Sequence, residues 1–281
     1  MLFRSRAAVP ALQAFGHDAW PIDTVTFSNH PGHGGFRGRV TDAALIGELV
    51  AGLRENGGLA GCDALLSGYL GAAAQGPAVL QALAAARAAN PCVLFMLDPV
   101  IGDHGPQGGR IYVKPGIAEF LRDEALPQAD ILTPNAFELE FLSGERPGDT
   151  ATTRRALQRV RDRAGGRARP DGVLAVATGL SLADRPRGRL SILGADNAGD
   201  WRIDHPAVDH PAYGAGDLFA ALLLGRILRG EPAADAAARA ASSVHAIIER
   251  TATAGSKDLR ITGARDALVT PPRLFPVERL G

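Results

Sequence analysis

This chain is poor in several residue types, and each scarcity excludes a class of protein. It carries two cysteines, Cys62 and Cys92, in no metal-type spacing, which excludes a disulfide-built secreted scaffold and a cysteine-ligated zinc site. Both lie beside apolar strand-like runs and read as buried, reduced thiols. Lysine is almost absent: only Lys114 and Lys257 occur, and neither completes the G-x-x-x-x-G-K-[ST] pattern of a P-loop. Gly32 and Gly34 do not begin a dinucleotide fingerprint, because Arg37 stands where its third glycine belongs. Net charge is lacking too, with 30 basic and 30 acidic residues well interspersed. No basic block marks a nucleic-acid or anionic-membrane partner. No uninterrupted apolar run reaches the roughly 18 residues of a membrane span, and the first residues show no signal-peptide pattern. The expectation is a soluble, cytoplasmic protein.

What is present is an alternation of short β-type runs and longer helical patterns in 281 residues that are 46% hydrophobic. Strands are expected at Ala19–Thr26, Ala64–Ser67, Val93–Asp98, Ile131–Thr133, Val173–Thr178, Leu190–Gly194 and Trp201–His205. Helices are expected at Ala7–Phe15, Thr41–Asn56, Pro77–Ala89, Ile117–Asp123, Phe137–Ser143, Thr152–Arg163, Asp217–Arg229 and Ala233–Arg250. This order predicts an α/β fold, a mostly parallel central sheet with helices on both faces. No linker or repeat divides the chain, so residues 1–281 read as one domain with a less regular tail over 251–281. Arg163–Gly172 and Ser181–Arg189 read as surface loops. A helical pattern begins almost at once, at Ala7, so the first strand of such a sheet is expected to be missing. Ligands of these sheets bind beyond the carboxyl ends of the strands. Three expected strand ends carry polar groups: Asp98, Thr133-Pro134-Asn135 and Thr178-Gly179.

The sharpest signal is Gly214-Ala215-Gly216-Asp217, followed by the apolar run Leu218–Leu224. The run predicts a buried helix with the glycines at its N-terminus, where free N–H groups and the positive dipole end attract an anion. Asp217 there reads either as a helix cap or as a base for a hydroxyl attacking a phosphate. Other residues also have plain structural readings. Asp98 before Pro99 could simply end a strand, and Glu138 could be a solvated helix residue. His30 and His33 lack a third metal ligand and, with Gly32, Gly34 and Gly35, read better as a mobile loop near a substrate. Tyr69 is expected to be packed.

In order and approximate spacing, five stretches resemble the ribokinase-like superfamily and, within it, the pyridoxal kinases. They are Phe27-Ser28-Asn29-His30, Leu66-Ser67-Gly68-Tyr69-Leu70-Gly71, Asp98-Pro99-Val100-Ile101-Gly102-Asp103, Thr133-Pro134-Asn135 with Glu138, and Gly214-Ala215-Gly216-Asp217. The resemblance covers about residues 6 to 250 and implies a ribokinase-like three-layer sandwich. It implies that Asp217 deprotonates the 5′-hydroxymethyl of pyridoxal while Gly214, Ala215 and Gly216 hold the transferring phosphate of ATP. His30, Pro31, Gly32 and Tyr69 would border the pyridine ring. Asp98, Thr133, Glu138, Thr178 and the His205-Pro206-Ala207-Val208 stretch would serve ATP, and Asp103 and Tyr112 would belong to a lid loop. Asp98, Asp103 and Glu138 would hold Mg2+, partly through water. The resemblance also implies a homodimer and allows a monovalent cation.

Departures from the family are expected to matter. About twenty family residues ahead of Arg6-Ala7-Ala8-Val9-Pro10 are unmatched, Pro31-Gly32 replaces a polar pair, and the stretch from Val208 to Gly214 is short. A hydroxymethylpyrimidine-type kinase and a non-catalytic vitamin B6 or nucleotide-binding fragment therefore stay open beside the pyridoxal kinase.

Overall fold

The computed structural model describes residues 2–3, 7–105, 108–166 and 168–281. Its strands are β1 (Leu2–Phe3), β2 (Val25–Phe27), β3 (Gly38–Val40), β4 (Ala64–Ser67), β5 (Leu94–Leu97), β6 (Gly102–Gly105), β7 (Gly108–Ile111), β8 (Ile131–Leu132), β9 (Leu174–Leu180), β10 (Arg189–Asp196), β11 (Gly199–Pro206) and β12 (Val277–Leu280). Its α-helices are α1 (Ala8–Ala14), α2 (Ala43–Glu55), α3 (Gln75–Ala89), α4 (Ile117–Phe120), α5 (Ala136–Ser143), α6 (Thr150–Arg163), α7 (Ala215–Leu228), α8 (Ala233–Thr253) and α9 (Arg265–Val269).

Eight strands form one sheet in the order β1-β4-β5-β8-β9-β10-β11-β12. The five from β1 to β9 are parallel neighbours, and β10, β11 and β12 extend the sheet antiparallel. Alternation along the strands sends Leu65, Phe95, Leu132 and Ala175 into one core, beneath α2 to α6. Their neighbours Leu66, Met96, Ile131 and Leu174 enter a second core, beneath α1, α7, α8 and α9. Strands covered on both faces read as continuous apolar runs, which is why β4 and β5 show no polar alternation. Helix α7 is buried from Leu218 to Arg226, so it too is apolar on every side. The helix starts follow capping chemistry: Asp42, Asn135 and Asp149 accept N–H groups of Ala44, Glu138 and Thr152 at 3.0, 2.9 and 2.7 Å.

Because β11 runs antiparallel to β10, it shares the direction of β9. The carboxyl ends of β4, β5, β8, β9 and β11 therefore open along one edge, and two small hairpins rise there, β2–β3 and β6–β7.

Four expectations need correction. The first strand is present as β1, with Leu2 and Phe3 opposite Leu66 and Ser67 of β4, and two residues are too few to show a period. Met1 and Arg4–Arg6 lie outside the described residues, as does Arg167 of the polar loop. Second, of Ala19–Thr26 only Val25 and Thr26 fall in a strand, β2, which runs on to Phe27 and pairs with β3 rather than joining the main sheet. An alternating pattern specifies an extended chain, not its partner. Third, residues after Thr251 are far from loose. Leu268 and Phe275 are buried, Arg226 donates to the carbonyls of Leu268 and Val269, and β12 closes the sheet against β11. Fourth, Cys62 is buried but Cys92 is exposed.

Candidate active site

Gly214 begins α7 with φ of 90°, a conformation that disfavours any side chain. The first helical bond is Leu218 N–H to Gly214 O at 3.0 Å, so the amides of Ala215, Gly216 and Asp217 precede the ladder. Ala215 N–H leans weakly to Ala212 O, at 3.4 Å, so Gly216 and Asp217 carry most of the anion-binding capacity. Asp217 Oδ2 lies 3.7 Å from where a Cβ on Gly214 would stand. The carboxylate thus folds back over the helix N-terminus, half-buried at the mouth of the turn. The cap and base readings of this residue share one geometry.

Facing this turn is the loop carried by β2–β3. Pro31–His33 forms a single 3-10 turn, and the His30 ring stacks on Tyr213, 4.4 Å between centroids and 9° from parallel. The Tyr213 hydroxyl donates to Gly32 O at 2.7 Å. His30, Pro31 and Gly32 are therefore brought against the residue that precedes Gly214. The loop expected to be mobile is pinned at its tip. His33 does not join His30 as a metal pair; its Nε2 meets both oxygens of Asp258 at 3.1 Å. Tyr69 follows β4 and packs partly buried against the core, its carbonyl accepting the Thr24 hydroxyl at 2.7 Å.

On the nucleotide side, Asp98 directly follows β5 and is buried, with the Thr133 hydroxyl donating to it at 3.2 Å. Glu138 is no solvated helix residue: it is 4% exposed. Its carboxyl oxygens accept the N–H groups of Ile101 and Asn135 at 3.0 and 2.9 Å. Burial, reinforced by the Asp98 charge, pushes its pKa well above the ordinary carboxylate value. Thr178 lies beside this pair of strand ends, its N–H donating to Pro134 O at 2.9 Å. Asp103 is exposed on β6 opposite Arg110, and Tyr112 is exposed just past β7. Among the described residues no three acidic, histidine or cysteine side chains converge on one point. Asp98 and Glu138 lie close enough for their charges to interact, and Asp103 stands on the β6–β7 hairpin. His205, half-buried, lies ring to ring with His245 and Phe275 at 5.8 and 5.6 Å, and burial lowers its pKa. Pro206, Ala207 and Val208 continue from it toward the cradle, Ala207 N–H held by Gly188 O at 2.9 Å.

Three contributors escaped the motif pattern: Tyr213, Asp258 and Gln75. Gln75, fully buried at the start of α3, donates to the carbonyls of Thr24 and Thr41, each at 2.7 Å. Its carbonyl accepts Gly71 N–H at 2.9 Å. A polar residue opening an apolar helix was the only signal it gave. A cavity of about 660 Å³ lined by Asp63, Cys92, Arg169 and Glu231 lies at the opposite sheet edge, away from every group above.

A phosphate-sized nest at a helix N-terminus, at the carboxyl edge of an α/β sheet and with a carboxylate across it, defines a small-molecule kinase site. The chain belongs to the phosphomethylpyrimidine kinase family, whose model matches residues 41–262. Within that family it is similar to pyridoxal kinases. It is 39% identical over 281 residues to pyridoxal kinase PdxY of Rubrobacter xylanophilus, covering 98% of this chain and 91% of the relative. The PdxY of Granulibacter bethesdensis is 41% identical over 269 residues, 96% of this chain and 92% of its own. The pyridoxal kinase of Leishmania donovani, solved with ADP and pyridoxine, superposes with a TM-score of 0.85 at 28% identity, covering 98% of this chain and 93% of that one. No described helix is long and apolar enough to cross a membrane.

Proposed function

We propose that this chain is an ATP-dependent kinase of vitamin B6, transferring the γ-phosphoryl group of ATP to the 5′-hydroxymethyl of pyridoxal. The observation that carries the reading is the Asp217 carboxylate folded over the N-terminus of α7, opposite the loop of His30, Pro31 and Gly32. In this reading Asp217 accepts the hydroxyl proton as the new O–P bond forms and the β,γ-bridging bond breaks, leaving ADP. Gly214, Ala215 and Gly216 line the path of the phosphoryl group, and the N-terminal turn of α7 holds its charge. Positioning and charge neutralisation dominate such transfers, so few residues need to touch the reacting atoms.

Asp98 and Glu138 suit a divalent cation that keeps water and phosphate oxygens among its ligands. Their close, buried negative charges are costly without one. Bound there, Mg2+ would neutralise phosphate charge. Thr133 and Thr178 would meet the phosphates, the β6–β7 hairpin with Asp103 and Tyr112 would cover them, and His205–Val208 would flank the adenosine. A cytoplasmic homodimer completes the proposal.

The test is ADP release with pyridoxal and Mg2+. Asp217→Asn should lower kcat by about 10²–10⁴-fold with ATP affinity nearly unchanged. Undiminished turnover would remove Asp217 as the base. Because the matching family model is that of phosphomethylpyrimidine kinases, hydroxymethylpyrimidine belongs in the panel with pyridoxal, pyridoxine and pyridoxamine. Faster turnover of hydroxymethylpyrimidine would favour that second reading, and nucleotide binding without ADP release would leave a binding protein.

A further inference from the structure

Tyr213 has no part in the chemistry above, yet two segments remote in sequence meet on it. Its hydroxyl donates to Gly32 O at 2.7 Å, its face stacks on His30, and its edge meets His33 at 5.1 Å. Its own N–H donates to Lys257 O at 2.9 Å, and the next residue, Asp258, takes His33 Nε2 at 3.1 Å. The loop of His30 to His33 is thus tied twice, once by the Tyr213 ring and once by the Asp258 carboxylate. Contact is close enough that a Cβ on Gly32 would stand 2.6 Å from Tyr213 Cζ. Any side chain at residue 32 would have to push the ring aside.

The ring can only hold the loop relative to one thing. Tyr213 is covalently joined to Gly214, so whatever it grips is placed with respect to the α7 N-terminus and Asp217. We propose that Tyr213 is a positioning residue that latches the acceptor loop to the phosphate cradle, so that the acceptor hydroxyl meets Asp217 in register. The inference rests on the kinase reading and deepens it. A loop latched before the acceptor arrives avoids the loss of affinity that follows when only a fraction of molecules is binding-competent. The latch lies on the acceptor side, so its loss should weaken acceptor binding and spare the nucleotide.

Two substitutions separate its parts. Tyr213→Phe keeps the stack and deletes the donor; Tyr213→Ala deletes both. Backbone amide exchange over residues 28–37 should quicken in Tyr213→Ala, less so in Tyr213→Phe, with α7 beyond its first turn unchanged. KM for pyridoxal should rise about tenfold in Tyr213→Ala while KM for ATP stays within about twofold, reflecting a loss of preorganisation on one side only. Gly32→Ala should reproduce these effects by prising the ring away. Added to Tyr213→Ala it should cost nothing more, since the collision is gone. Unchanged loop exchange in Tyr213→Ala, equal rises in both KM values, or full additivity of the two substitutions would each overturn the latch. If the wild-type chain turns over no pyridoxal, the kinase reading falls, and the exchange and additivity data still judge the latch alone.

Discussion

Glu138 binds two backbone amides through its carboxyl and feels the charge of Asp98 from inside the protein. Its pKa is raised, so the folded chain binds this proton more tightly than the unfolded chain does. The stability it contributes is complete below the ordinary glutamate pKa and is lost as pH rises through the elevated value. A cation that binds beside it competes with that proton. Stabilisation by Mg2+ and ADP, measured as a rise in Tm, should therefore be larger at about pH 8 than at about pH 5. In Glu138→Gln the excess at high pH should shrink; an identical pH profile in that variant would separate Glu138 from the cation. Asp98, Thr133 and Asp217 were legible in the sequence because each sits at a strand end or helix start that its own neighbours announce. Tyr213, Gln75 and Asp258 were not, because their partners lie tens to hundreds of residues away, and a lone tyrosine or glutamine has no local pattern.

Elements differed in the same way. Helices such as α2 and α6 were readable from apolar spacing and capping residues, and β4 matched its expected bounds. The β6–β7 hairpin, whose strands read GDHG and GGRI, has neither alternation nor β-branched residues beyond Ile111, so no local pattern marks it as extended. The β2–β3 hairpin is held down chiefly by Gln75, which reaches one carbonyl just before β2 and another just after β3. Gln75→Leu would leave the Thr41 carbonyl and the Gly71 amide unpaired and take one of two donors from the Thr24 carbonyl, which keeps the Thr41 N–H at 2.9 Å. At about 1–3 kcal/mol for a buried unsatisfied group, the expected loss is about 3 kcal/mol in urea unfolding. It should come with a raised KM for pyridoxal. A loss below about 0.5 kcal/mol would mean the hairpin is secured elsewhere.

At the scale of the whole molecule, the cradle depends on residues far from it. Arg226, buried near the end of α7, donates to the carbonyls of Leu268 and Val269 at 3.2 and 2.7 Å, and its guanidinium lies 4.8 Å over the Phe15 ring. It fastens the helix that begins at Gly214 to α9 and to the loop after α1. Arg226→Met should keep much of the packing and lose the charged donor, lowering stability by about 3 kcal/mol in chemical denaturation. A neutral result would show that α9 docks without Arg226, through apolar contact and the Ser243 hydroxyl that donates to Leu268 O at 3.2 Å. The three-layer architecture was legible because periodicity reports which faces are buried; how the last thirty residues close the sheet was not, because β12 is short and half polar.

The crowding between Gly32 and Tyr213 also constrains descent. A lineage that exchanged the tyrosine for a smaller side chain would be released to accept alanine or serine at residue 32, while one that kept it would not. The two sites, 181 residues apart, should drift as a couple.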